Sequence, residues 1–318
     1  MASEHGQPSY YVPEQSKYPF LASVGVGLML VGVATWLNDL KSASANASPN
    51  MLIAGFLIVA TVIFCWFRTA ISESIKGMNS AQLSRSYRIG MQWFIFSEVM
   101  FFFTFFGGLF YVRELVGPWL GGEGVGVMTN KLLWSGFHFS WPMMQTPQDA
   151  VGVANQVIAN NGIFTGPKEN MSWPGVSKAA HWLPLWNTLF LVTSSVTCEF
   201  AHHALKAGKK SRFNMWLGVT LVLGFLFVYF QGVEYHEAYA EMGLKLTSGI
   251  YGSTFFMLTG FHGFHVCLGA FILTVMFLRS TLKGHFNKDD HFGFEAASWY
   301  WHFVDVVWLF LVAVVYVF

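Results

Sequence analysis

The sequence predicts an all-α, polytopic membrane protein with seven transmembrane helices, and three observations predict it. Hydrophobic residues fill 54% of its 318 positions and charged residues only 11%, against roughly 25% charged in an average soluble domain. Apolar runs long enough to cross a hydrocarbon core of about 30 Å as a helix recur along the whole chain. Lys and Arg fall in short clusters beside those runs instead of one patch. With a formal net charge of +1, this gives no basis for a nucleic-acid partner.

Residues 1–18 form a polar opening with Glu4, Glu14 and a single basic residue, Lys17, unlike the basic start of a signal peptide. Ser42, Ala43, Ser44 and Ala45 mimic a cleavage site, but the preceding apolar run exceeds a leader's core, so segment I, about 19–37, is expected to be a retained helix. Its Gly25, Gly27 and Gly32 allow close helix approach in lipid. Segment II, about 51–71, ends in Cys65, Trp66, Phe67 and Arg68, an aromatic pair before a charge as at a membrane interface. A basic loop with Lys76, Arg85 and Arg88 leads to segment III, about 89–112.

Residues 113–183 are the one long interruption, rich in Gly, Pro, Asn and Trp, and read as a folded or partly folded loop on one membrane face. Segments IV, V, VI and VII follow at about 184–205, 213–233, 248–278 and 292–318, with an acidic exit at Glu234, Glu237 and Glu241 between V and VI. The expected division is 1–18, then helices I–II over 19–75, then helices III–VII over 76–318. Seven spans place the termini on opposite sides. With the N-terminus inside, twelve of the 18 Lys and Arg are inner, and most of the outer ones sit in the long loop, so a cytoplasmic N-terminus is expected.

Cys65, Cys198 and Cys267 lie singly in apolar runs and read as small buried hydrophobes. The residue most out of place is Glu98, inside IFSEVMFFFTFF at 95–106. Its helical neighbours are Met91, Phe94, Ile95, Phe101, Phe102 and Phe105, none of which can pair a charge. It lies about 15 Å from Arg88 and about 22 Å from Arg113, hence at membrane depth. Two readings stand: a neutral, hydrogen-bonded acid acting as glue between helices, or a proton-handling or ligand-facing group. Contact with a bound lipid overlaps both.

His262 and His265 are three apart and share a helix face, which raises haem or metal ligation. Segments I to III contain no histidine to complete such a set, so packing or hydrogen bonding is favoured. Glu295, Trp299, His302 and Asp305 form a polar stripe on segment VII that suits pairing with neighbouring helices or a partner. Arg68, Glu73, Arg279, Lys283 and His285 collect at inner interfaces, where basic groups can hold a phospholipid phosphate.

Three long stretches carry a resemblance: RIGMQWFIFSEVMFFF from Arg88, IYGSTFFMLTGFHGFHV from Ile250 and HFGFEAASWYWHFVDVVWLFL from His291. CWFRTAISES from Cys65 and FAHHALKAG from Phe200 agree with them, and the chain resembles subunit III of the haem-copper cytochrome c oxidases. The departure is 117–180, longer than in many relatives. The resemblance implies helices I–II set apart from helices III–VII by a V-shaped cleft holding phospholipid, with Trp66, Phe67, Arg68, Glu73, Glu98, His265, Arg279, His285 and Phe286 as lipid-binding residues. It implies that Glu98 is the carbodiimide-reactive carboxyl and that this chain has no catalytic centre, metal or haem. The implied assembly is a proton-pumping terminal oxidase. Haem and copper would lie in partner subunits I and II, mainly subunit I being contacted, and cytochrome c would donate electrons. The implied location is the bacterial inner membrane, with the N-terminus cytoplasmic and the C-terminus periplasmic. The implied role is support of proton uptake and of the catalytic subunit's stability. Two alternatives are a quinol oxidase subunit III, which lacks the first helix pair in its usual form, and a proton-coupled transporter using Glu98.

Overall fold

The computed structural model describes residues 15–42, 48–78, 80–151, 167–286 and 291–318. Residues 1–14 of the N-terminal segment, Ala43 to Ala45 of the cleavage-like stretch, Lys288, and 152–166 of the long loop lie outside the described residues. Seven long helices dominate: α1 Tyr18–Lys41, α2 Asn50–Ile75, α3 Ala81–Tyr111, α4 Leu183–Lys206, α5 Lys210–His236, α6 Gly249–Lys283 and α7 Phe292–Leu311. Among the described residues there is no strand. Among the described residues, six helices are long and apolar enough to cross a membrane: α1, α2, α3 with its continuation to Leu120, α5 to Met242, α6, and α7 to Val317. The remaining long helix, α4, has 24 residues, about 36 Å at 1.5 Å per residue. Its Asn, Thr, Ser, Glu and His residues keep it outside that apolar group.

The chain divides into two units, Met1–Ile89 and Gly90–Phe318. In the first, α1 and α2 pack closely. A Cβ on Gly55 would stand 2.7 Å from the Gly25 carbonyl oxygen, and one on Gly25 would stand 2.7 Å from a Val59 methyl. One on Gly32 would meet the Leu52 backbone. Gly27 has nothing within 4 Å of such an atom and so does not serve the contact. Gly25 and Gly32 are seven residues apart and return to one face, whereas Gly27 is rotated away.

In the second unit, α4 packs on α5, α5 on α6, α6 on α7 and α7 on α4. Trp301 of α7 is the wedge. A Cβ on Gly224 of α5 would be 2.8 Å from its ring and one on Gly269 of α6 would be 2.9 Å away. Those two glycines form its slot, and its indole Nε1–H donates to Ser194 Oγ of α4 at 3.0 Å. Trp308, two turns on, also donates to α4, to Thr188 Oγ1 at 3.0 Å. Of the polar stripe on α7, His302 reaches α4: its Nδ1 lies 2.5 Å from Ser195 Oγ and its Nε2 lies 3.7 Å from Glu199.

Several boundaries move. α3 starts at Ala81, so Arg85 and Arg88 belong to a helix instead of a loop, and it runs on through Arg113 to Leu120. α6 extends to Lys283, where Gly284 at φ +62° supplies the left-handed residue that ends it. Glu234 is no part of an exposed acidic exit: it is fully buried within α5. The described parts of the 113–183 interruption are folded. Asn130 Nδ2 donates to the carbonyls of Leu120 and Phe137 at 2.9 and 3.1 Å, stapling residues 117–137 together. The loop is then tied to the helix ends. Tyr251 N–H donates to the Met143 carbonyl at 2.9 Å, Lys168 N–H to Met242 at 2.8 Å, and Trp173 N–H to Tyr316 at 2.8 Å.

Candidate functional site

Of the nine residues expected to bind lipid, four lie in the first unit and five in the second. In the first unit, Trp66, Phe67 and Arg68 are exposed at the end of α2, while Glu73 is half-buried. Trp66 stacks on Tyr18 of α1 with ring centroids 6.5 Å apart. The Tyr18 hydroxyl pairs with Thr69 Oγ1 at 3.0 Å. This ties the two helix ends and fixes one face of Trp66.

In the second unit, two groups form. The first joins Glu98 of α3 to His265 of α6, with Oε2 2.9 Å from Nε2. His265 Nδ1 lies 2.7 Å from the Phe261 carbonyl. A carbonyl can only accept, so Nδ1 carries a hydrogen. The Nε2 to Oε2 contact then holds a single proton, giving either a neutral acid on a neutral imidazole or a carboxylate on an imidazolium. Aromatic rings wall the pair: Phe102 is 5.0 Å and Phe101 6.0 Å from the His265 ring, with Phe264 and Tyr300 on its other sides. Glu98 keeps 22% of its side chain accessible. The phenylalanine wall is therefore divided. Phe102 is buried, while Phe94, Phe96 and Phe103 face outward.

The second group closes the end of α6. The Arg279 guanidinium lies 4.7 Å over the Phe286 ring, a cation–π contact that holds the arginine head in place. Phe286 is buried against Phe213 of α5. His285, beside them, lies outside the helix, and its partial burial with Arg279 and Lys283 close by holds its pKa below the ordinary imidazole value.

His262 and His265 are engaged separately. His262 is fully buried, lies 3.2 Å by Nε2 from the Val304 carbonyl, and stacks on Trp308 at 5.1 Å. Among the described residues, no group of three or more His, Cys, Asp or Glu side chains is arranged to hold a metal ion.

Sequence reasoning missed two things. Nothing local announces His265 as the partner of Glu98, because they are 167 positions apart and helix-spacing rules reach only one turn. It also missed the buried Glu234, which accepts from the Tyr316 hydroxyl at 2.6 Å and from Asn187 Nδ2 at 3.5 Å. One clue was present: Gln231 stands one turn before it on the same helix face.

The family model described as cytochrome c oxidase subunit III matches residues 8–122 and 168–318. It thus leaves out 123–167, within the stretch that departs from the family by sequence. The chain is 33% identical to cytochrome c oxidase subunit 3 of Gadus morhua and 34% identical to that of Dugong dugon, in each case over 98% of both chains. On the strength of that match, of its multi-pass helical architecture, and of motifs that fall on α2, α3, α4, α6 and α7, the chain belongs to the cytochrome c oxidase subunit III family.

Proposed function

We propose that the chain is the non-catalytic accessory subunit of a proton-pumping cytochrome c oxidase that reduces oxygen to water. Its partners are subunits I and II, which hold haem and copper, and cytochrome c is the electron donor to the complex. It sits in a bacterial inner membrane with the N-terminus cytoplasmic, binds phospholipid, and supports proton uptake and the lifetime of the catalytic subunit. α4 is the seventh span, its polar face turned to α7.

The observation that carries the accessory reading is the fate of the histidines best placed to ligate. His262 Nε2 meets the Val304 carbonyl of α7, His265 Nδ1 meets the Phe261 carbonyl one turn back on its own helix, and His265 Nε2 is paired with Glu98 of α3. Three of their four ring nitrogens are thus engaged within the helix bundle, and His262 Nδ1 is buried without a hydrogen-bond partner. Phospholipid binding is supported by the cationic end of α6, where Arg279 rests on Phe286 and presents charge beside an apolar surface. The exposed Trp66, Phe67 and Arg68 supply the same chemistry at the end of α2.

Purification from native membrane tests the assignment: haem, copper and two larger oxidase subunits should travel with the chain in fixed proportion. A chain that purifies alone and moves protons in vesicles by itself would be a transporter instead. The lipid role is tested by Arg279→Ala, which should lower co-purifying phospholipid and shorten the oxidase's active lifetime during turnover. Unchanged lipid content with an unchanged lifetime would remove that role.

A further inference from the structure

We propose that the groove between the last turns of α4 and the first turns of α5 is a separate phospholipid site that takes the phosphate of an anionic lipid. The groove has a volume of about 320 Å³ and is lined by Phe200, His203, Ala204, Lys209, Arg212 and Trp216. Its lining changes character with depth. Lys209 and Arg212 are exposed at the turn, and Trp216 stands one helical turn further along α5, about 6 Å away. The Trp216 ring meets Phe200 of α4 at 5.1 Å, and the small side chain of Ala204 leaves the floor between the helices open.

The charge facing this groove is cationic. Among the described residues, neither Lys209 nor Arg212 forms an ion pair. Glu199 approaches the edge but is 3.2 Å from His203 Nε2, to which it is matched. The neighbouring Lys210 is engaged elsewhere, donating to the Gly284 carbonyl at 3.1 Å and holding the start of α5 to the end of α6. A free phosphate ion would satisfy the two cations and leave Trp216 and Phe200 uncovered. A phospholipid satisfies both, its phosphate at Lys209 and Arg212 and its first acyl carbons on the aromatic pair. The site shares no residue with the Arg279 group, and it depends only on the membrane setting, so it can fail while the oxidase assignment stands.

The test uses the chain with whatever subunits accompany it, reconstituted into vesicles containing brominated phosphatidylglycerol or brominated phosphatidylcholine. Quenching assigned to Trp216, by difference from Trp216→Phe, should need about tenfold less of the anionic lipid than of the zwitterionic one. The double variant Lys209→Gln, Arg212→Gln should erase that preference. Equal quenching by both lipids, or a preference that survives the double variant, overturns the proposal. Reversal of quenching by added inorganic phosphate would make this a simple anion site and also overturns it. If Trp216→Phe does not assemble, phosphatidylglycerol retained through purification is counted by mass spectrometry. The double variant should retain less than the parent, and equal retention overturns the proposal.

Discussion

α3 and α7 are both strongly apolar and aromatic, yet only 11% of the most apolar window of α3 is buried within the chain against 56% for α7. Apolar content therefore does not say where the core lies. What separates them is the company each side chain keeps. α7 carries Trp301 and Trp308, whose N–H groups reach α4, and it meets glycines that leave room for an indole. α3 offers Phe103 and Phe110 to its surroundings, both more than 60% exposed. In lipid that exposure carries little penalty, because acyl chains are as apolar as the side chains.

The sharpest way to break this contrast is to empty the slot of α7. Trp301→Ala should cost about 3–5 kcal/mol, since it opens a cavity and leaves Ser194 without its donor. Phe103→Ala should stay within about 0.5 kcal/mol. Denaturant unfolding of the purified chain in detergent checks both, and equal losses would abolish the distinction. In the first unit, Gly32→Leu should destabilise the α1–α2 pair by about 1–3 kcal/mol while Gly27→Leu leaves it unchanged. Cross-linking yield between cysteines placed on α1 and α2 reports that difference.

A smaller effect is expected where α3 does touch the bundle. Glu98→Ala leaves His265 Nε2 without a partner and should cost about 1–2 kcal/mol, whereas Glu98→Gln can still donate to it and should lose less. Equal losses would mean that the pair is ionic. The smallest effect is at His285. Its lowered pKa means that the unfolded chain takes up a proton first. Its contribution is complete above the ordinary imidazole range and falls as pH drops through that range. His285→Asn should flatten the acid-side loss of thermal stability slightly, and an unchanged acid slope would exclude His285 as its source.

Much of this was legible in the sequence. The apolar runs became α1, α2, α3, α5, α6 and α7, because a 20-residue apolar stretch has few alternatives to a helix in lipid. Segment IV reads in the sequence as a seventh span at about 184–205; it is the helix α4, but its polar residues, several of which pair with α7, keep it out of the group apolar enough to cross a membrane. Glu98 could be singled out as an anomaly, because a carboxylate among phenylalanines is visible in one dimension. Its answer, His265, could not be, because the pairing exists only after α3 and α6 have packed. Glu234 was misread for a related reason. Its neighbours Glu237 and Glu241 suggested an exposed exit, while the buried partners Asn187 and Tyr316 lie on helices far away in the chain.

The three backbone hydrogen bonds that tie the long loop to the bundle, at Met143, Lys168 and Trp173, bracket most of the stretch left out by the family match. A chain clamped on both sides can gain or lose residues between its clamps without disturbing what they grip. The same clamps shield the ends of α5, α6 and α7 from whatever that stretch becomes. A change of length between Met143 and Lys168 can therefore be absorbed there while the backbone bonds on either side hold the same helix ends.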